Sequence, residues 1–199
     1  MPRPKQRTDA LRERVLSVAL KLLESEGVAQ FTARRIAEAA STSLPAVYEL
    51  FGDKAGLLRE LFYSGFHALG EALECVAPSD DARADLTRAL VVYRRFVRDN
   101  PVLAALMFSR PFADFEPGPS ELAAGQRVRE QLVGGVRRAI EASAIQGNAT
   151  DIAHVLLALA QGLSAQESAG WLGTSKASVE RRWTLAIGAV LDGLAPAPR

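Results

Sequence analysis

The chain has one cysteine, Cys75, and only two histidines, His67 and His154. A single thiol excludes an internal disulfide framework and a cysteine-rich zinc site, and neither histidine stands in a metal-ligand spacing. Long apolar runs are missing. None approaches the roughly 20 residues that a bilayer-spanning helix needs. The first residues, Met1-Pro2-Arg3-Pro4-Lys5-Gln6-Arg7, lack the apolar stretch of a signal peptide. An excess of one charge is missing too: Lys and Arg number 24 against 23 Asp and Glu, a net +1, so no global field draws the chain to nucleic acid or membrane. No glycine-rich phosphate loop occurs, and no Ser or Cys nucleophile has a recognisable setting. These absences lead to the expectation of a cytoplasmic, non-enzymatic protein without cofactor, metal or membrane partner. What is present is 199 residues at 48% hydrophobic and 24% charged, enough for a core that needs no staples.

The balanced total hides a basic start. Residues 1–14 hold Arg3, Lys5, Arg7, Arg12 and Arg14 against Asp9 and Glu13, and nucleic-acid binding depends on such local charge.

Apolar spacings of three and four recur from end to end, and no stretch alternates as a half-buried strand would. This predicts an all-α protein of about nine helices. Leu11, Val15, Ala19, Leu22 and Leu23 form one face of the first, with Thr8 placed to cap it and Gly27 to end it. A short helix follows Thr32, carrying Ile36, Ala37 and Ala40 inward. Ser41-Thr42-Ser43 interrupts, and Ser43 can cap a third helix bearing Val47, Tyr48 and Phe51. Pro45 falls in its first turn, where a missing N–H costs little. Asp53 is placed to cap a long fourth helix striped by Leu57, Leu58, Leu61, Phe62, Phe66, Leu69 and Leu73. Further helices are marked by Leu86 to Val97, Leu103 to Met107, Leu122 to Ile140, Ile152 to Leu172, and Val179 to Leu194. The stretch from Arg110 to Pro119, with three prolines and a glycine, reads as a loop.

Three short helices beside a basic N-terminus, the second and third joined by a three-residue turn, form a helix-turn-helix candidate. Gly27, Phe31-Thr32, Ile36-Ala37, Ala40, Ser43, Val47-Tyr48, Phe51, Lys54 and Leu57 together resemble the DNA-binding signature of TetR-family transcriptional regulators. The resemblance implies a DNA-binding domain over 1–52 and a ligand-binding and dimerisation domain over 53–199. Four positions depart from the family pattern. Ser41-Thr42 replaces the usual Gly-Val, and Pro45 replaces a frequent glycine. Both imply altered turn geometry or base reading. Leu50 replaces an aromatic or histidine, which removes a phosphate contact.

Free N–H groups at a helix start suit phosphate. Thr32 and Ser43 begin two helices and serve equally well as plain caps or as phosphate ligands. Lys54, at the start of the fourth helix, is a phosphate ligand or a solvated lysine. Tyr48 either reaches the backbone or packs. The base readers expected are Ser43, Leu44, Pro45 and Ala46, a set poor in bidentate donors, so contact with thymine methyls should feature. Arg34 and Arg35 supply charge or a guanine contact. Arg3, Lys5 and Arg7 form either a minor-groove arm or a disordered tail.

Beyond the head, Tyr93, Phe96, Met107, Phe108, Phe112 and Phe115 bracket a loop, and Trp171 lies near another. Read singly they are core; read together they line an apolar pocket for a small largely apolar effector. His154 is a polar group of that pocket or a surface histidine. The run from Asn100-Pro101 through Glu116-Pro117 resembles the C-terminal domain of a TetR subgroup named for a Trp-His-Gly motif, here Ala160-Gln161-Gly162. The family implies a homodimer through the last two helices, two recognition helices about 34–36 Å apart and an inverted-repeat operator, most simply as a repressor. Against this, Glu167 through Arg182 resembles the helix-turn-helix of sigma-factor region 4 or LuxR-type regulators. A helical adaptor that binds another protein is the remaining alternative, but it gives no reason for the Thr32 to Lys54 pattern.

Overall fold

A computed structural model of the chain describes residues 4–109, 112 and 115–197, with side chains from Thr8 onward among them. The described residues form nine α-helices and one single-turn 3₁₀ helix, with no strand. The helices are α1 (Pro4–Glu26), α2 (Ala33–Ala39), α3 (Leu44–Phe51), α4 (Lys54–Glu74), α5 (Ala82–Asp99), α6 (Pro101–Ser109), α7 (Pro119–Glu141), α8 (Ala149–Ser168) and α9 (Lys176–Gly193). Two compact units emerge: Met1–His67 with Pro101–Ala123, and Ala68–Asn100 with Ala124–Arg199. The division falls inside α4 and α7, and it gives α6 to the first unit.

In the first unit, α1 starts at Pro4, so Thr8 lies within the helix and does not cap it. Proline is at home in a first turn, and Lys5, Gln6 and Arg7 are good helix formers. The helix stops at Gly27, and the 3₁₀ turn Val28–Gln30 leads to a fully buried Phe31. Thr32 Oγ1 then accepts the Arg35 N–H at 3.3 Å and caps α2.

Helix α2 ends in a Schellman turn. The Ser41 N–H reaches the Glu38 carbonyl at 3.1 Å and the Thr42 N–H the Ala37 carbonyl at 3.0 Å. Ser41 holds the left-handed position, φ 51°, at a cost of about 1–2 kcal/mol that a glycine would avoid. Ser43 Oγ caps α3 by accepting the Ala46 N–H at 3.2 Å, with Pro45 in the first turn. Asp53 Oδ1 caps α4 through the Gly56 N–H at 2.7 Å. Gly56 is required: a Cβ there would stand 1.8 Å from the Phe51 carbonyl oxygen. Val15, Ala19, Ile36, Ala37, Val47, Phe51, Leu57 and Leu61 fill the core between these helices.

The second unit packs α5 against α8, and α8 against α9. Asp81 caps α5, Asn148 caps α8, and Ser175 with Ser178 forms a capping box on α9. Helix α8 ends at Ser168, four residues before the expected Leu172. Gly170, φ 74°, ends it there: its N–H goes to the Glu167 carbonyl and the Trp171 N–H to that of Gln166. Leu122, expected on the apolar stripe of α7, is exposed, whereas Val136 is fully buried. No helix of the described residues is long and apolar enough to cross a membrane.

Candidate nucleic-acid interface

The start of α3 is the exposed end of the helix-turn-helix. Ser43 and Pro45 are exposed and Leu44 and Ala46 half-buried, while Val47 and Phe51 on the same helix are buried. Core packing therefore holds α3 by its later turns and leaves the four expected base readers at the surface. Thr32 is exposed as well. Both caps accept backbone N–H groups through their hydroxyl oxygens, and each O–H hydrogen can still turn to a phosphate. Tyr48 is 46% exposed on α3.

The basic residues divide into two sets. Arg34 is exposed and pairs with Glu38 at 3.3 Å. Arg35 pairs with Glu26 at 2.5 Å and donates to Gln30 at 2.6 Å. Lys54 is exposed, and its Nζ stands 5.9 Å from the ring centroid of Phe31 and 5.1 Å from that of Phe112. Arg12 and Arg14, read from the sequence only as part of a basic start, turn to the protein. Arg12 Nη1 donates to the Leu50 carbonyl at 3.1 Å and Nη2 to Glu60 at 2.5 Å. Arg14 Nε donates to the Ala40 carbonyl at 3.1 Å. Nothing local in the sequence signals these bonds, which span 26 to 48 residues. Arg3 lies outside the described residues. Lys5 and Arg7 are placed only by their backbone in α1.

The candidate effector residues are shared between the units. Met107, Phe108, Phe112 and Phe115 belong to the first. There Phe115 meets Phe62 at 5.6 Å, Phe62 meets Phe66 at 4.9 Å, Phe66 meets Phe108 edge-on at 5.7 Å, and Phe112 meets Phe31 at 5.5 Å. Met107 packs on Gly65 of α4, where a Cβ would come within 2.6 Å of its sulfur. Tyr93 and Phe96 are buried in the second unit, and burial holds the Tyr93 phenol above its ordinary range. His154 is exposed, with Nδ1 2.8 Å from the Thr150 carbonyl oxygen. Trp171 is 77% exposed in the α8–α9 connection, so the structure does not bring it together with the buried aromatic residues of its unit. Of the Ala160-Gln161-Gly162 triplet only Ala160 is buried.

The second unit also holds an ion cluster around the buried Arg94. Arg94 donates to both oxygens of Glu167 at 2.8 and 3.0 Å and to Glu180 at 2.7 Å, and lies 5.0 Å from the Trp183 ring. Trp183 Nε1 donates to Glu167 at 2.7 Å. Burial pushes the Glu167 carboxyl up, but the bonds from Arg94 and Trp183 prevail and hold it below the usual range. Several groups of the segment that resembled a second DNA reader are thus engaged within the protein. Glu167 and Glu180 bind Arg94, Arg182 donates to the Leu172 carbonyl, and Trp183, Ile187 and Leu191 are buried.

These features define the class: an all-helical protein with an N-terminal helix-turn-helix that presents the start of its second helix. Residues 15–61 match the model of the bacterial regulatory proteins of the tetR family, and residues 86–190 match that of the tetracyclin repressor-like C-terminal domain. The chain belongs to the TetR family and is a DNA-binding, non-enzymatic transcriptional regulator with a ligand-binding domain. It is 31% identical to a protein of unknown function from Rhodococcus sp. RHA1, covering 94% of this chain and 96% of that one, with a TM-score of 0.82. It is similar in fold to the TetR-family regulator PfmR from Thermus thermophilus, at 21% identity, 92% and 100% coverage and a TM-score of 0.73. It is also 29% identical over 133 residues to an HTH-type transcriptional regulator of Saccharopolyspora erythraea. That match takes in 66% of this chain and 53% of the relative, about half of the relative's length.

Proposed function

We propose that the chain is a repressor that binds an inverted-repeat operator as a homodimer and is released by a small, largely apolar effector. The observation that carries the DNA-reading part is the exposed start of α3 on a helix otherwise buried by Val47 and Phe51. Ser43, Leu44, Pro45 and Ala46 meet base edges in the major groove, and Thr32, Tyr48 and Lys54 contact phosphate. Arg34 and Arg35 add charge, and Arg3, Lys5 and Arg7 reach the adjacent minor groove. Residues 1–52 act as the reading head, and 53–199 carry effector binding and dimerisation.

A two-fold dimer through α8 and α9 is supported by exposed large apolar residues on both, Val155 and Leu185. In the first unit Met107, Phe108, Phe112 and Phe115 offer apolar surface to an effector; in the second, Tyr93 and Phe96 are the buried candidates and His154 and Trp171 the exposed ones. The effector releases DNA only if it binds the DNA-incompetent state better. A coupling of roughly 1–3 kcal/mol is the usual range.

Selection of bound fragments from random duplex DNA at two salt concentrations tests this reading. An inverted repeat, with affinity falling as salt rises, is the expected result. No recovered motif, or binding indifferent to salt, overturns it. The substitution Leu185→Asp should yield monomers with weakened operator binding; an unchanged dimer would place the seam elsewhere.

A further inference from the structure

The last carbonyls of a helix have no partner within it and carry partial negative charge. In the helix-turn-helix, such carbonyls stand at the C-termini of α2 and α3. Both are met by arginines of α1. Arg14 donates to Ala40, the residue that closes α2, and Arg12 donates to Leu50 in the last turn of α3. Arg12 does more. Its guanidinium carbon lies 4.9 Å from the centroid of the Phe51 ring, and Nη2 reaches Glu60 on the second turn of α4 at 2.5 Å. One planar group therefore touches the recognition helix twice and α4 once.

We propose that Arg12 is a positioning residue for operator recognition, bolting the C-terminal end of α3 to α1 and α4 so that its N-terminal end is presented at a fixed angle. The proposal rests on the DNA-reading role of the head and reassigns part of its basic charge. Arg12 aligns the helix that reads DNA without touching DNA. A lysine cannot replace it, because an ammonium lacks the rigid fork that reaches a carbonyl and a carboxylate while lying on a ring. Glu60 carries a negative charge, so as a neighbour of DNA it would only repel; as the anchor of Arg12 it helps. The two readings of Arg12 therefore predict opposite signs for the loss of Glu60.

The test uses the full-length protein and the duplex that it selects from a random pool. Arg12→Gln, Arg12→Lys and Glu60→Gln are compared with wild type for affinity to that duplex and to a scrambled duplex, for salt dependence, and for melting temperature. If Arg12 positions α3, all three variants lose affinity for the selected duplex by about tenfold, the scale of one misread base pair. Their affinity for scrambled DNA and their salt slope stay as in wild type. If Arg12 is a phosphate ligand, Arg12→Gln weakens both duplexes and lowers the salt slope by about one, and Glu60→Gln binds as well as wild type or better; either result overturns the proposal. A variant that melts lower yet keeps its full preference for the selected duplex while folded also overturns it. If Arg12→Gln does not fold, Glu60→Gln alone decides. Failure of the wild type to select any sequence overturns the DNA reading itself, and this proposal with it.

Discussion

Arg12 in the helix-turn-helix unit and Arg94 in the other unit each join three helices through one guanidinium lying on an aromatic ring, and they differ in solvent. The Arg12 side chain is 35% exposed and its carboxylate partner Glu60 is equally wet; Arg94 is 10% exposed and its bidentate partner Glu167 is largely buried. Ion pairs open to water add little to folding stability, so Arg12 stabilises the fold mainly through the Leu50 carbonyl and the Phe51 ring, while Glu60 fixes the direction of its guanidinium. A buried pair has lost its hydration and is costly to break from one side. The same chemical group thus makes a solvent-open joint of small energy that sets the direction of a helix meeting DNA, and a desolvated joint that is costly to break where helices must stay packed.

The largest test of this contrast is Arg94→Ala. It leaves the largely buried Glu167 carboxylate without its arginine, and should cost about 3 kcal/mol, seen as a melting temperature lower by roughly 6–12 °C for a chain of this size. Arg12→Ala should cost only about 1 kcal/mol. Equal losses in a thermal melt would erase the distinction.

Acid provides the next test. The Glu167 carboxyl titrates below its usual range in the folded chain, so its contribution is complete above the ordinary glutamate value near 4.5. That contribution is lost as pH falls through the lower folded-state value. Melting curves should fall as pH drops below about 4.5, and more steeply in wild type than in Glu167→Gln. An identical slope in both would mean that the cluster does not bear on acid stability.

Smaller effects are expected in the head. Lys54→Gln removes an ammonium from the faces of Phe31 and Phe112, at a cost of about 0.5–1 kcal/mol. A salt slope of operator binding lowered by about one would show that Lys54 also meets phosphate, and an unchanged slope would leave it the cation–π role alone. Ser41→Gly relieves the left-handed turn but loosens the unfolded chain, for a net gain of about 0.5–1 kcal/mol by chemical denaturation.

The helices, their caps and the reading head were legible from local pattern. Thr32, Ser43 and Asp53 stand where capping requires them, and Val47 and Phe51 where the core face of α3 falls. Misread elements have local explanations as well. Pro4 starts α1 ahead of Thr8, and Gly170 stops α8 ahead of Trp171. The aromatic residues taken as one group were not legible in this way, since burial of a ring shows in composition while its neighbours do not. Nor was the division of the arginines, because an arginine on a wet helix face and one capping a distant carbonyl look alike in sequence.

Capping, periodicity and turn chemistry act over three or four residues, and so the amino-acid sequence by itself determined the all-helical architecture and the position of the helix-turn-helix. Only the tertiary structure decided which charges face solvent and which hold helices together. The bonds of Arg12 and Arg94 span 38 to 86 residues, and contacts at that separation exist only once the chain has closed.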